Sequence, residues 1–190
     1  MKDNKLRELN NAIVEEHKDK ELVLGNGNIN SLIMLIGEAP GAKEVQFKIP
    51  FVGQAGKHLE EFLEILEIKR EDVYITNVVK FRPTKKSTKT GGLINRTPTV
   101  KEIEAFKKYL IDEINIINPK IIVTLGNTPL KGVFENEMKI GQVHGEIQMV
   151  KVRDKDYKVF PLYHPAAVIY RRELKKVYIE DLKKLKKVIN

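Results

Sequence analysis

Four side chains of this sequence have types and settings suited to binding a planar, polar ligand. Asn77 lies in the apolar run YITNVV, where burying a carboxamide costs about 1–3 kcal/mol unless its donor and acceptor are both matched. A pyrimidine edge would match them, whereas the structural alternative is a bond to the neighbouring backbone. The other three, Glu38, Phe51 and His164, lie in segments rich in glycine, proline and alanine.

Each of these three segments has a chemical and a structural interpretation. The small residues of GEAPG, residues 37–41, let backbone amides approach a ligand beside the Glu38 carboxylate. Phe51 in PFVGQAG offers a flat face to a base, and HPAA places the His164 imidazole in a loop restricted by proline. The alternatives are an ordinary turn, a core phenylalanine and a structural histidine.

Several other chemistries find no support in the sequence. It contains neither the Gly-Lys-Ser/Thr ending of a phosphate loop nor a GxGxxG or Gly-x-Ser-x-Gly motif. His17, His58 and His144 show no metal-ligand spacing with His164. Cysteine is absent, which excludes disulfides, thiolate nucleophiles and cysteine-ligated iron–sulfur clusters.

Length, hydropathy and charge set the broad class. A chain of 190 residues that is 42% hydrophobic suits a single domain, residues 1–190. No window approaches the roughly 18 apolar residues of a membrane span, so we expect a cytoplasmic protein and no membrane partner. The formal net charge of +8 favours a polyanionic partner.

Strands and helices alternate along the chain. Buried strands are predicted at residues 31–36, 73–80 and 121–126. Helices are predicted at residues 5–18, 100–117 and 128–134, with a further helix after Gly56 and a basic one at the C-terminus. A hairpin is predicted from residues 146–152 and 157–162. This order predicts an α/β fold, a three-layer α/β/α sandwich with a central, mostly parallel sheet and a site at the carboxyl ends of its strands.

The segment from Lys80 to Arg96 is basic. It contains six lysines and arginines and no acidic residue, and it is interrupted by Pro83 and a Gly-Gly pair. We interpret it as an exposed loop that contacts phosphates.

Five motifs, taken in order, resemble family 4 of the uracil-DNA glycosylase superfamily. They are GEAPGAKE, IPFVGQAGKHLEEFL, VYITNVVK, IIVTLG and YHPAA, and the resemblance runs from about Ser31 to the C-terminus. It implies an enzyme that flips uracil out of DNA and hydrolyses its N-glycosidic bond.

The resemblance also implies roles for particular residues. Glu38 and Ala39 match the motif that faces the sugar and the attacking water, and Glu44 lies near the C5 edge of the base. Phe51 matches the stacking aromatic, Asn77 the amide that pairs with uracil, and His164 the histidine that stabilises charge on the departing base. Glu38, Asn77 and His164 are the expected catalytic residues. The expected DNA contacts are Lys85, Lys86, Lys89, Arg96, Ile169, Tyr170, Arg171 and Arg172, with Ile169 and Tyr170 as wedges.

The sequence departs from this family at the iron–sulfur cluster. The family usually has a cysteine pair near the N-terminus, one cysteine after the NVVK strand and one in the following helix. Here the last two positions hold Phe81 and Phe106, and the N-terminal pair has no counterpart. We therefore expect no cofactor and no metal, and we expect Phe81 and Phe106 to pack together instead.

The expected function is that of a uracil-DNA glycosylase initiating base excision repair as a monomer, on single- or double-stranded DNA. One alternative is a non-catalytic nucleic-acid-binding protein of the same fold. Another is a hydrolase of small nucleosides or nucleotides that uses the same pocket without DNA.

Overall fold

A six-stranded sheet forms the middle layer of the molecule. The computed structural model describes residues 1–134, 138–171 and 173–189, with only the backbone of Ile169 and Tyr170. The strands of the sheet are β1 (Asn26–Gly27), β2 (Ile33–Gly37), β3 (Tyr74–Asn77), β6 (Ile121–Leu125), β7 (Gln148–Val152) and β8 (Lys155–Leu162). The strand order is β1-β3-β2-β6-β8-β7, in which β3, β2, β6 and β8 are parallel and the edge strands β1 and β7 are antiparallel to their neighbours.

Helices cover both faces of this sheet. They are α1 (Lys2–Glu16), α2 (Ala42–Phe47), α3 (Gln54–Leu66), α4 (Val100–Ile117), α5 (Asn127–Val133), α6 (Ile140–Val143), α7 (Pro165–Tyr170) and α8 (Glu173–Ile189). Helix α4 begins where Thr99 accepts from the Glu102 amide and donates its own amide to the Glu102 carboxylate. It ends at Asn118, which takes a left-handed conformation before Pro119.

Side chains alternate between the two faces of β2, and each set belongs to a separate core. Met34 and Ile36 pack with α1, α4 and α5, whereas Ile33 and Leu35 pack with α3 and α8. All five residues of β2 are buried, as a central parallel strand requires. The predicted three-layer α/β/α sandwich is confirmed.

The sequence-based expectations differ from the structure in three places. The segment at 80–96 is not a plain loop: β4 (Thr84–Lys86) and β5 (Leu93–Asn95) pair in a separate two-stranded sheet. Lys80 is fully buried and paired with Glu113, a partner 33 positions away that the local charge pattern did not indicate. Helix α2 begins at Ala42, inside the GEAPGAKE motif, where no helix is predicted from the sequence. Among the described residues, no helix combines the length and apolar character needed to span a bilayer.

Candidate functional site

A cavity of about 510 Å³ opens where β2, β3 and β8 end. Its lining includes Glu38 after β2, Asn77 at the end of β3 and His164 after β8, together with Phe51 from the loop before α3. Because parallel strands place their carboxyl ends at one edge of a sheet, residues far apart in sequence meet here. All four side chains singled out in the sequence are therefore brought together.

Phe51 is held in a strained backbone conformation. Its φ of +55° lies in the left-handed region, which bulky residues rarely adopt. The Arg70 guanidinium donates to the carbonyl of Pro50 at 2.5 Å and to that of Phe51 at 3.0 Å. The Phe51 ring packs in the core beside α3 and also lines the cavity, with its centroid 6.4 Å from that of His164. Both sequence interpretations of this residue thus apply.

Asn77 is almost fully buried at the end of β3, with 2% of its surface exposed. The residue lines the cavity, and its carboxamide is not among the buried polar groups that lack a partner in the described part of the chain. Gly37 leaves it room, since a Cβ there would overlap both Asn77 Oδ1 and the Phe51 ring. A ligand edge is therefore the natural partner for this amide.

His164 presents a neutral imidazole with a defined tautomer. Burial lowers the pKa of His164 below its usual value, because desolvation disfavours the charged ring. Its Nδ1 accepts from the Ala166 amide at 3.1 Å, which leaves the hydrogen of the neutral ring on Nε2. His164 lines the cavity and can serve there as a hydrogen-bond donor without carrying charge.

The carboxylates of Glu38 and Glu44 are both fixed, but in different ways. The Thr128 hydroxyl donates to Glu38 Oε2 from the start of α5. Glu44 is buried and accepts from two backbone amides, Gly41 at 3.1 Å and Gly53 at 2.9 Å. Glu44 therefore ties the GEAPG loop to the loop that carries Phe51, and both carboxylates line the cavity.

Two positioning contacts, those of Thr128 and Arg70, were missed in the sequence. Thr128 follows the β6 strand, so its place at the carboxyl edge of the sheet was a usable signal. Arg70 lies in the polar stretch IKRED, and nothing there marks it out from a surface arginine.

The expected DNA contacts that the structure describes differ in their exposure and in their relation to the cavity. Lys85, Lys86, Lys89 and Arg171 are exposed. Arg96 lines the cavity, but its guanidinium makes two 2.7 Å bonds to the Glu102 carboxylate and is only partly available to a phosphate. Arg172 and the side chains of Ile169 and Tyr170 lie outside the described residues.

A cluster of aromatic rings joins the N-terminal helix to α4. We call His17, Phe81, Phe106 and Tyr109 the aromatic cluster. Phe81 and Phe106 have centroids 5.8 Å apart, so the expected contact between them is confirmed. His17 stacks on Phe106 at 4.4 Å, and Lys20 Nζ lies 5.4 Å from the Phe81 ring centroid. These positions contain no thiolate, and no three potential metal ligands converge among the described residues. The residues present do not fit an iron–sulfur cluster.

Comparison with known proteins identifies the family. The family model of the uracil DNA glycosylase superfamily matches residues 24–186. The chain belongs to this superfamily. A type-4 uracil-DNA glycosylase of Sulfurisphaera tokodaii is 44% identical over 171 residues, which are 87% of this chain and 74% of that protein.

Two further relatives place the chain with the same type. The type-4 uracil-DNA glycosylase of Archaeoglobus fulgidus is 41% identical, over 89% of this chain and 83% of its own length. That of Thermotoga maritima is 38% identical, over 88% of this chain and 83% of its own length. The chain is thus a member of the type-4 family without any cysteine.

Proposed function

We propose that this protein is a monofunctional uracil-DNA glycosylase: it extrudes uracil from DNA and hydrolyses the N-glycosidic bond, initiating base excision repair. The observation that carries the proposal is the convergence of Phe51, Asn77 and His164 on one cavity. Uracil inside a stacked duplex is inaccessible, so the nucleotide must first leave the stack, at a cost of a few kcal/mol.

Asn77 would select the base. Its carboxamide can accept from uracil N3–H and donate to O4, a pattern that cytosine reverses. Phe51 would stack on the face of the same ring. Because Asn77 is enclosed by the protein and lines the cavity, a mismatched base that displaces water would leave its amide unsatisfied.

His164 would stabilise the departing base. Bond cleavage leaves positive charge on the sugar and negative charge on uracil O2. A neutral Nε2–H donor placed beside O2 lowers the energy of that anion without supplying a proton, and the Nδ1 contact with Ala166 fixes this tautomer. Burial strengthens the interaction because water screens it less.

Glu38 would face the sugar and the attacking water, with Ala39 beside it. The contact from Thr128 supports this role because it fixes one carboxylate oxygen while the side chain still lines the cavity. A fixed carboxylate can orient a water molecule and stabilise the developing positive charge on the sugar.

Glu44 would exclude thymine by filling the space that a C5 methyl group needs. Its two amide contacts make it a rigid wall of the cavity. We expect Glu44→Ala to gain activity on thymine opposite guanine, whereas Glu44→Gln, which keeps the volume, should not. Thymine release assays on both variants measure this. If Glu44→Ala excludes thymine as well as the wild-type protein does, Glu44 does not determine the selectivity against thymine.

DNA is the proposed partner, held through phosphates. Lys85, Lys86, Lys89 and Arg171 are exposed and basic, which supports contacts with phosphates. For Arg172, Ile169 and Tyr170 the proposal rests on the sequence alone. We further propose that the enzyme acts as a cytoplasmic monomer and needs no iron–sulfur cluster, because the aromatic cluster fills the volume between α1 and α4.

The test is incubation of the purified protein with a labelled oligonucleotide that contains one uracil, followed by alkali. Strand scission at uracil, with none at cytosine or thymine in matched oligonucleotides, is the expected result. Binding without scission would favour the non-catalytic alternative. Release of uracil from free deoxyuridine but not from DNA would favour a nucleoside hydrolase.

A further inference from the structure

The β4–β5 hairpin stands apart from the main sheet. Its two strands, Thr84–Lys86 and Leu93–Asn95, pair only with each other in the described sheets. A two-stranded sheet of this size is marginally stable in water and gains little from its own packing. Its place in the fold therefore needs another explanation.

The root of the hairpin is fixed at the cavity. Pro83, Asn95 and Arg96 belong to the cavity lining. Asn95 Oδ1 accepts from Arg82 Nε at 2.7 Å, and the Arg96 guanidinium is held by Glu102. The arm beyond this root consequently has a set direction relative to the cavity.

The arm beyond the root combines exposed lysines with exposed apolar side chains. Leu93 is 61% exposed and Ile94 is 41% exposed. Cross-strand pairing sets Lys85 opposite Ile94 and Lys86 opposite Leu93, so each face carries one charge beside one apolar group. No acidic residue occurs between Lys80 and Lys101.

We propose that this hairpin is an arm that grips duplex DNA beside the extruded nucleotide, an inference that rests on the proposed function. The lysines bind phosphates, and Leu93 and Ile94 lie against sugars and base edges in the groove. This alternation of charge and apolar surface matches the alternation of phosphate and sugar along a DNA strand. Because a groove exists only in a duplex, the apolar pair contributes to excision from double-stranded DNA.

The test compares two substrates: a duplex with uracil opposite guanine, and the uracil strand alone. The double variant Leu93→Ser/Ile94→Ser should lower kcat/KM on the duplex roughly tenfold, and change it less than about twofold on the single strand. Met149→Ser is the matched control, because Met149 is an apolar side chain that is 59% exposed on β7, an edge strand of the main sheet to which the hairpin does not belong. Met149→Ser should leave kcat/KM unchanged on both substrates.

Removing charge instead of apolar surface should give a different pattern. Lys85→Ala/Lys86→Ala should weaken binding to both substrates and reduce the slope of log K for DNA binding against log salt concentration by up to about 2. Leu93→Ser/Ile94→Ser should keep the wild-type slope, because it removes no charge. Equal losses on both substrates, or no loss, for the serine variant would overturn the proposal. So would a change in its sedimentation, which would mark the arm as a protein interface. If wild-type protein released no uracil from either substrate, the proposed function itself would fail.

Discussion

The cavity and the aromatic cluster differ in what their side chains contact. In the cavity, Asn77 is almost fully buried as a residue but still lines the space that a ligand would occupy. In the aromatic cluster, the Phe106 ring stacks on His17 and packs at a tilt against Phe81, while His17 Nε2 is buried without a hydrogen-bond partner among the described residues. Binding a base requires polar groups that stay available to the ligand at fixed positions. Joining α1 to α4 requires only side chains that fill the space between the helices and pack against each other. The second task can therefore be performed by several kinds of residue, and the first by very few.

The largest effect is expected from Asn77→Asp. A carboxylate cannot donate to uracil O4, so the rate of uracil release should fall by about 10³-fold or more. Thermal unfolding should show a comparatively small change, because the side chain keeps its shape. Single-turnover release of uracil measures the first quantity, and unchanged release would remove Asn77 from the mechanism.

Phe106→Ala changes the aromatic cluster and should lower the stability of the protein rather than its rate of uracil release. Phe106 is 1% exposed, and its ring stacks on His17 and makes tilted contacts with Phe81 and Tyr109. Its truncation should lower the free energy of unfolding by about 3–5 kcal/mol. Urea denaturation measures this loss, with Phe47→Ala at an exposed site as the control. The folded fraction should still release uracil at the wild-type rate; a specific loss of chemistry would contradict the separation of the two regions.

Arg70→Ala tests whether the cavity depends on its support. Loss of the bonds to Pro50 and Phe51 should let Phe51 leave its strained conformation. We expect uracil release to slow roughly tenfold, and Arg153→Ala, which removes a surface ion pair with Asp112, should have no effect.

A double-mutant cycle shows whether Arg70 acts through Phe51. In the Phe51→Ala background, Arg70→Ala should cause no further loss of rate. Additive losses would mean that Arg70 supports the fold in general, and that the clamp on Phe51 has no separate effect on catalysis.

The sequence predicted the cavity better than its supports. Asn77 and His164 were identifiable because a polar residue at the end of an apolar strand, or before a proline, breaks a local pattern. Arg70 and Thr128 break no pattern, because their importance depends on carbonyl and carboxylate groups brought near by the fold. The prediction that Lys80 is exposed was wrong for the same reason. Its partner Glu113 lies on α4, whereas the neighbouring charges in the sequence indicated an exposed segment.

The smallest expected effect concerns pH and His164. Burial lowers its pKa in the folded state, so the unfolded state binds more protons as the pH falls through the unperturbed value of 6.5. The folding stability of the wild-type protein should therefore decrease below about pH 6.5. The His164→Gln variant should lose less folding stability than the wild-type protein over the same pH range. Thermal unfolding between pH 7.5 and pH 5 measures the difference. Uracil release should persist below pH 6.5, because the neutral ring is the active form. If the stability of the wild-type protein and that of His164→Gln fall in parallel with pH, the assigned protonation state of His164 is contradicted.

The most direct measurement is a crystal structure of the protein with DNA containing a 2′-fluoro deoxyuridine, whose glycosidic bond resists hydrolysis. The uracil should lie extruded in the cavity, stacked on Phe51, with O4 about 3 Å from Asn77 Nδ2 and O2 about 3 Å from His164 Nε2. A uracil that remains stacked in the DNA, or that binds with Asn77 facing away from its edge, would contradict the account.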